Sequence, residues 1–549
     1  MNLDYILPAQ RIAAMSKAGY WPDRTIVECL DAAVAEVPDK VALVDWNSNT
    51  GRATTLSYRQ LKRLSERIGA GLAALGVGKG DVVSYQLPNW WPFVALHLAC
   101  VRIGAITNPL MPILRERELV HMMGLAESKV LVIPHRYRDF DFPGMVAGIR
   151  DRLPALKHVL VVGGEGESSF EAFAARRWEE ETDAKALFAS RRQGPNEVTE
   201  ILYTSGTTGE PKGVMQTANT MQGNLVPFAK NMGLSDKDVI LMGSPMAHQT
   251  GFFYGLLMPI MLRAKAVLMD IWSANQAAQL IQDEGCTFAM ASTPFLMDLT
   301  NLPTLDKFDL STFRLFVCGG APIPEVLVPK AAERLGASIL SVWGMSENGA
   351  VTVTKPDDPV DKVSGSDGRA LPGSEVRVVD TDGKECPRGV PGDLQMRGAS
   401  LFVGYLKRPQ LYGVNAEGWF DTGDRARMDA DGYIRITGRS KDVIIRGGEN
   451  IPVVEVEGIL YGHPSIQEVA VVAMPDARLG ERACAFVVLK PGAAVLTLAD
   501  VTDFLARAQI TKQYYPERLE IVTELPHTPS GKIQKFKLRE TAKQYTPRA

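Results

Sequence analysis

The chain has 549 residues, 46% of them hydrophobic and 22% charged, which is length and apolar content for two or more packed domains. Lys and Arg total 60 against 63 Asp and Glu, and a net charge of -3 offers no broad basic field for nucleic acid or anionic lipid, so the expected partners are small molecules. The six cysteines, Cys29, Cys100, Cys286, Cys318, Cys386 and Cys484, lie far apart without a CxxC pair or zinc-spaced histidines, which suits a reduced cytoplasm.

The opening Met1-Asn2-Leu3-Asp4 has no basic start followed by an apolar core, so no signal peptide is expected. Between Ser57 and Val77, Leu61, Leu64, Ile68, Leu72 and Leu75 recur at spacings of three, four, four and three, which predicts one buried helix face. A short apolar strand, Val82 to Leu87, follows, and Lys129 to Ile133 and His158 to Val162 repeat the strand pattern between helical stretches. That alternation predicts an α/β fold, with parallel sheets covered by helices. The longest apolar stretch, Gly251 to Leu262, stops at Arg263, too short for a membrane span. No repeat or low-complexity tract points to a solenoid or a long disordered arm.

From Gly365 to Gly398 the chain turns rich in Gly, Pro and charge with short β-like runs such as Glu375 to Val379, predicting a small β subdomain. Beyond Gly438 the texture changes again, and Val469 to Ala473 and Ala485 to Leu489 predict strands of a separate small α+β domain. The expected division is a large domain over 1–440 and a small one over 441–549.

The most informative segment is Tyr203-Thr-Ser-Gly-Thr-Thr-Gly-Glu-Pro-Lys-Gly213, which follows the apolar Ile201-Leu202 and carries three Gly, four Ser or Thr hydroxyls and one Lys. Glycines let backbone N–H groups point inward, hydroxyls add donors, and the lysine supplies charge for a polyphosphate. It is not a GxxxxGK[ST] loop, because Lys212 is followed by Gly213. Taken alone, the same composition also suits an exposed polar turn.

This loop resembles the signature of the adenylate-forming superfamily: acyl-CoA synthetases, peptide-synthetase adenylation domains and beetle luciferases. Further segments resemble that family's motifs in the family's order: Gly319-Gly-Ala-Pro322, Trp343-Gly-Met-Ser-Glu347, Gly418-Trp-Phe-Asp-Thr-Gly-Asp424, Gly438-Arg-Ser-Lys-Asp442, Gly447-Gly-Glu-Asn450 and Pro529-Ser-Gly-Lys532. The resemblance covers nearly the whole chain. It implies a ligase that uses ATP to convert a carboxylic acid to an acyl-AMP and then passes the acyl group to coenzyme A, with the small C-terminal domain rotating between the two steps.

The resemblance distributes the roles. Thr204, Ser205, Gly206, Thr207, Thr208, Gly209 and Lys212 would hold the phosphates, and Gly320, Ala321, Pro322, Trp343, Gly344, Met345 and Ser346 would surround the adenine. Trp343 stands where the family usually has Tyr, and either ring could stack on a base. Glu347, with Thr204, would bind Mg²⁺, for which hard oxygen ligands are apt. Asp424 would bind the ribose, with Arg439 in support. Lys532 is the implied catalytic lysine of adenylation, Lys441 the hinge, and Gly447 and Gly448 the face of the pantetheine channel. Lys532 is also a candidate substrate for a lysine acetyltransferase, as in relatives, which would remove its charge; homo-oligomerisation stays open.

Pro245-Met-Ala-His248-Gln-Thr-Gly-Phe252 resembles the segment forming one wall of the acyl pocket, with His248 as its gate and Phe252, Phe295 and Val317 as apolar lining. It has no Asp to pair an ammonium group, which disfavours α-amino acids. The run Arg11 to Asp23 resembles the cyclohexanecarboxylate-CoA ligase branch among bacterial alicyclic, aromatic and medium-chain ligases, so a ring acid is expected first and medium-chain fatty acids next. The alternatives are an enzyme loading a carrier protein, a luciferase-like oxygenase, and an inactive nucleotide-binding regulator.

Overall fold

The structure, a computed structural model, describes residues 3–204, 211–321, 323–439, 442–446, 449–476, 478–528 and 531–545. Two helix-flanked sheets form the large N-terminal domain. One has six strands in the spatial order Lys212–Thr217, Val198–Thr204, Ile106–Pro109, Val82–Tyr85, Val130–Pro134 and His158–Val162. It is parallel apart from the hairpin partner Lys212–Thr217. The other has nine strands, with a parallel centre of Val41–Asn47, Lys265–Met269, Val239–Met242, Phe288–Ala291, Leu315–Gly319 and Ser338–Met345. Antiparallel strands close both of its ends.

Local chemistry explains the elements. Ser57 accepts the backbone N–H of Gln60 while the Gln60 side chain returns to the Ser57 N–H, and this capping box starts the helix Tyr58–Ala74. Leu61, Ile68 and Leu72 of that helix are buried, as their spacing predicts. The helix Trp91–Arg102 is buried all round, with only Trp91 partly exposed, because it lies in the large core cluster shared by both sheets. Strands Val82–Tyr85 and Val130–Pro134 are buried along their whole length, as expected for parallel strands covered on both faces.

A four-stranded antiparallel sheet, Ser374–Val379, Gly392–Gly398, Phe420–Met428 and Ile434–Arg439, forms the β subdomain around its own core. The small C-terminal domain has a five-stranded sheet built on the long hairpin Ile466–Asp476 and Gly480–Leu489, with helices Val453–Tyr461, Leu498–Arg507 and Lys535–Ala542 packed on it. Both hairpin strands run longer than the apolar runs Val469 to Ala473 and Ala485 to Leu489, because antiparallel pairing extends the ladder into polar residues such as Arg482 and Glu481. Among the described residues no helix is long and apolar enough to cross a membrane.

Topology sets the site. Thr204, Gly319, Met345, and the loops after Met242 and Ala291 all lie at carboxyl ends of their strands. Ligand crevices in open α/β sheets form at this edge.

Candidate active site

Lys532 reaches this edge from the C-terminal domain. Thr528 N–H donates to the Lys532 carbonyl at 2.7 Å, and Lys532 N–H donates to Thr528 Oγ1 at 3.0 Å. At Gly531 (φ +80°), an added Cβ would stand 3.0 Å from Ser292 Oγ and 3.2 Å from Pro294 Cγ, so Gly531 sits directly against the large domain. The lysine lies over Gly320, whose missing Cβ would fall 3.2 Å from Lys532 Cε. Burial lowers the Lys532 pKa to about 8, with Arg439 adding to the fall and Asp424 and Glu347 opposing it.

Asp424 is buried and accepts two hydrogen bonds: Trp343 Nε1–H donates to Oδ2 and Arg439 Nε–H to Oδ1, both at 2.9 Å. The aspartate raises the Arg439 pKa and keeps this guanidinium charged. Trp343 thus orients Asp424, its indole N–H fixing the carboxylate's plane. Gly344 allows the backbone of this turn to close, because any side chain there would run into the Gly349 carbonyl.

Glu347 is buried at the end of the same turn. Tyr405 Oη–H donates to its Oε1 at 2.7 Å, and Lys212 Nζ donates to Tyr405 Oη at 3.2 Å while standing 4.2 Å from the centre of the tyrosine ring. Glu347 Oε2 has no hydrogen-bond partner among the described residues. No group of three or more His, Cys, Asp or Glu forms a metal cage among them either. One buried carboxylate with an open oxygen fits Mg²⁺, which takes one or two protein carboxylates and completes its shell with water and substrate phosphates. No spacing rule marks Tyr405 in the sequence.

Nearby, His248 Nδ1 accepts the Thr250 N–H at 3.3 Å, and burial, reinforced by Lys532, lowers the imidazole pKa to about 3, so it is neutral. Phe295 sits 3.7 Å from the Gly531 Cβ position and packs on Trp272 at 4.7 Å. Val317 is fully buried in its strand. Phe252 is also wholly buried, but its ring packs edge-on to His97 and Phe93, and it opens a π-helical turn, Phe252–Leu257. Beside it Tyr254 Oη–H donates to Asn224 Oδ1 at 2.7 Å and accepts the Ala350 N–H at 3.0 Å, fixing the turn to the Trp343–Glu347 hairpin. Thr204 ends its strand, and Ala321 lies two residues past the strand ending at Gly319, with Thr293 Oγ1 donating to the Ala321 carbonyl at 3.2 Å. Met345 N–H donates to Asn348 Oδ1 at 3.0 Å, and the Ser346 carbonyl accepts from Gln216 Nε2 at 3.2 Å. Ser205, Gly206, Thr207, Thr208, Gly209, Pro322, Lys441, Gly447 and Gly448 lie outside the described residues.

The chain belongs to the AMP-binding enzyme family, which matches residues 30–406, and the AMP-binding enzyme C-terminal domain matches residues 455–532. It is an acid–thiol ligase, an AMP-forming acyl-CoA synthetase. A medium-chain fatty-acid–CoA ligase of Escherichia coli K12 is 37% identical over 542 residues, covering 98% of this chain and 94% of the relative. Among solved structures, an anthranilate CoA ligase, AuaEII, in complex with anthranoyl-AMP aligns with a TM-score of 0.83 at 26% identity, over 95% of this chain and 98% of that one. ATP-bound MatB from Rhodopseudomonas palustris aligns with a TM-score of 0.83 at 28% identity, over 94% of this chain and 99% of that one, whereas its apo form gives 0.73 over 95% and 99%. The arrangement of this chain is thus closer to the nucleotide-bound form of that enzyme.

Proposed function

We propose that the chain catalyses acyl-adenylate formation in the arrangement described, and that the observation carrying this reading is the meeting of Lys532 with Gly320, Asp424, Arg439 and Glu347. An acid carboxylate oxygen attacks the α-phosphorus of ATP, the new acyl–O–P bond forms, and the bond to the β-phosphate breaks, releasing pyrophosphate. Lys532 bridges the incoming carboxylate and the α-phosphate, offsetting charge that accumulates in the transition state. Asp424 accepts the ribose hydroxyls, Arg439 supports them, Trp343 covers the base, and the loop Thr204 to Lys212 holds the phosphates. Glu347, with Thr204, would hold Mg²⁺, which when bound neutralises phosphate charge.

In the second step the coenzyme A sulfur attacks the acyl carbon and AMP leaves. A thiol of pKa ~8.5 is already about a few per cent ionised near neutral pH, so no dedicated base is required. This step needs Lys532 withdrawn, and rotation of residues 441–549 about Lys441 would bring Gly447 and Gly448 to the thiol's path. Replacing Lys441 by Pro is expected to spare pyrophosphate release while slowing thioester formation; equal loss of both, read by separate assays, counts against a hinge. Acetylation of Lys532 would stop the first step only.

The pH dependence follows from Lys532. Its ammonium is present below about 8 and is lost as pH rises through that value. The kcat/KM of adenylation should therefore fall on the alkaline side, and Lys532→Arg, charged throughout, should shift that limb upward even at reduced rate. An unmoved limb assigns the titration to another group.

For the acid, the neutral His248, apolar Phe295 and absence of an acidic partner favour an uncharged ring or chain. Cyclohexanecarboxylate or a related alicyclic or aromatic acid is the first reading, by the likeness of Arg11 to Asp23 and of the anthranilate ligase; a medium-chain fatty acid is the second, by the Escherichia coli relative. A pyrophosphate-release screen over ring, aryl and straight-chain acids, with and without coenzyme A, separates them. The highest kcat/KM for straight chains would reject the first reading.

A further inference from the structure

The segment Gly398 to Leu406 lies between the strand Lys212–Thr217 and Glu347 and is tied to both. Leu406 N–H donates to the Gly213 carbonyl at 2.8 Å, Met215 N–H to Gly404 at 3.0 Å and Val403 N–H to Met215 at 3.0 Å, which staples it to the strand that begins at Lys212. Phe402 N–H donates to the Glu347 carbonyl at 2.7 Å. From the outside, the N-terminal run holds the same segment. Arg11 donates to the carbonyls of Gly398 and Phe402, each at 3.3 Å, and to that of Leu401, while Trp21 Nε1–H donates to the Ala399 carbonyl at 2.9 Å. Three carbonyls on one guanidinium, with that cation 5.4 Å from the Trp21 ring, make a rigid strap.

What the strap holds in place is Tyr405, which is 1% exposed and bonds both Lys212 and Glu347. We propose that the Tyr405 hydroxyl is a positioning group that keeps the phosphate-loop ammonium and the metal-binding carboxylate apart. It accepts from Lys212 and donates to Glu347, so each charge has a partner without the two pairing directly. Without it, an ammonium and a carboxylate at this buried spot would close into an ion pair, which withdraws the lysine from ATP and the carboxylate from the cation. The ring of a phenylalanine would preserve the packing on Phe402, whose ring centre lies 4.8 Å away, and would remove only the spacer.

This rests on the reading of Glu347 as the metal carboxylate, and the test separates the two. ATP binding in EDTA is measured by calorimetry, and Mn²⁺ binding to the enzyme–ATP complex by electron paramagnetic resonance, for the full chain and Y405F, E347Q and the double variant, with melting temperatures alongside. Y405F is expected to weaken both by about tenfold, the scale of one charge-assisted hydrogen bond. Adding E347Q, which removes the anion that captures Lys212, should restore metal-free ATP binding to the E347Q level. That rescue is not expected of a tyrosine that only fills space. Unchanged binding in Y405F, or no rescue in the double variant, overturns the proposal. Unchanged Mn²⁺ binding in E347Q rejects the metal reading alone, since the rescue in EDTA still reports on Tyr405. Should Y405F fail to fold, R11Q loosens the strap with the hydroxyl retained and should weaken Mn²⁺ binding about threefold; full affinity in that variant, folded, overturns the proposal.

Discussion

Removing the Lys532 ammonium is expected to slow acyl-adenylate formation by about two to three orders of magnitude, the usual cost of losing one preorganised charge at a developing oxyanion. The lysine is half-buried between the two domains, with Gly320 beneath it and Ser292, Pro294 and Phe295 against Gly531. The second step should be spared, because the lysine has no place in thiol attack on the acyl carbon. Pyrophosphate release and coenzyme A consumption of preformed acyl-AMP are therefore measured separately. Equal losses in both would mean that the loop Thr528 to Lys532 is needed for structure rather than for charge.

Asp424→Asn should raise the KM for ATP by about tenfold to a hundredfold. A hydrogen bond to a charged group contributes about 1.5–3 kcal/mol, and each 1.4 kcal/mol is about tenfold in affinity. The amide retains an oxygen for one donor, but Arg439 loses its ion pair. There is a second consequence. Asp424 raises the Lys532 pKa against Arg439, so without the anion the lysine deprotonates more easily and the alkaline limb of kcat/KM should move below its wild-type position. A KM change with a fixed limb would show that Asp424 serves the ribose without touching Lys532 electrostatically.

How much of this was legible in the sequence varies with the range of the interaction. The helix beginning at Ser57 and the strands at Val82, Val130 and His158 follow from periodicity and capping, which act over a few residues. Motif order pointed to Lys532, Asp424, Arg439 and Glu347, and folding brings them near one another. What the sequence could not show is how distant residues finish one another's chemistry. Trp343 reads as a stacking ring, yet its N–H orients Asp424, 81 positions away. Phe252 reads as a pocket wall, while its ring packs on His97 and Phe93 of another helix, a packing that apolar character alone does not reveal. Tyr405 carries no motif at all, and Arg11 reads only as part of a run resembling one ligase branch; their structural meaning comes from the segment that threads between Gly213 and Glu347.

The central claim is that ATP is split at the α-phosphate by the acid itself. It is tested most directly by supplying an acid labelled with ¹⁸O in its carboxylate, together with ATP and coenzyme A, and reading the nucleotide product by mass spectrometry. The account predicts AMP carrying one heavy oxygen from the acid, with unlabelled pyrophosphate. Unlabelled AMP, or ADP as the product, would contradict it.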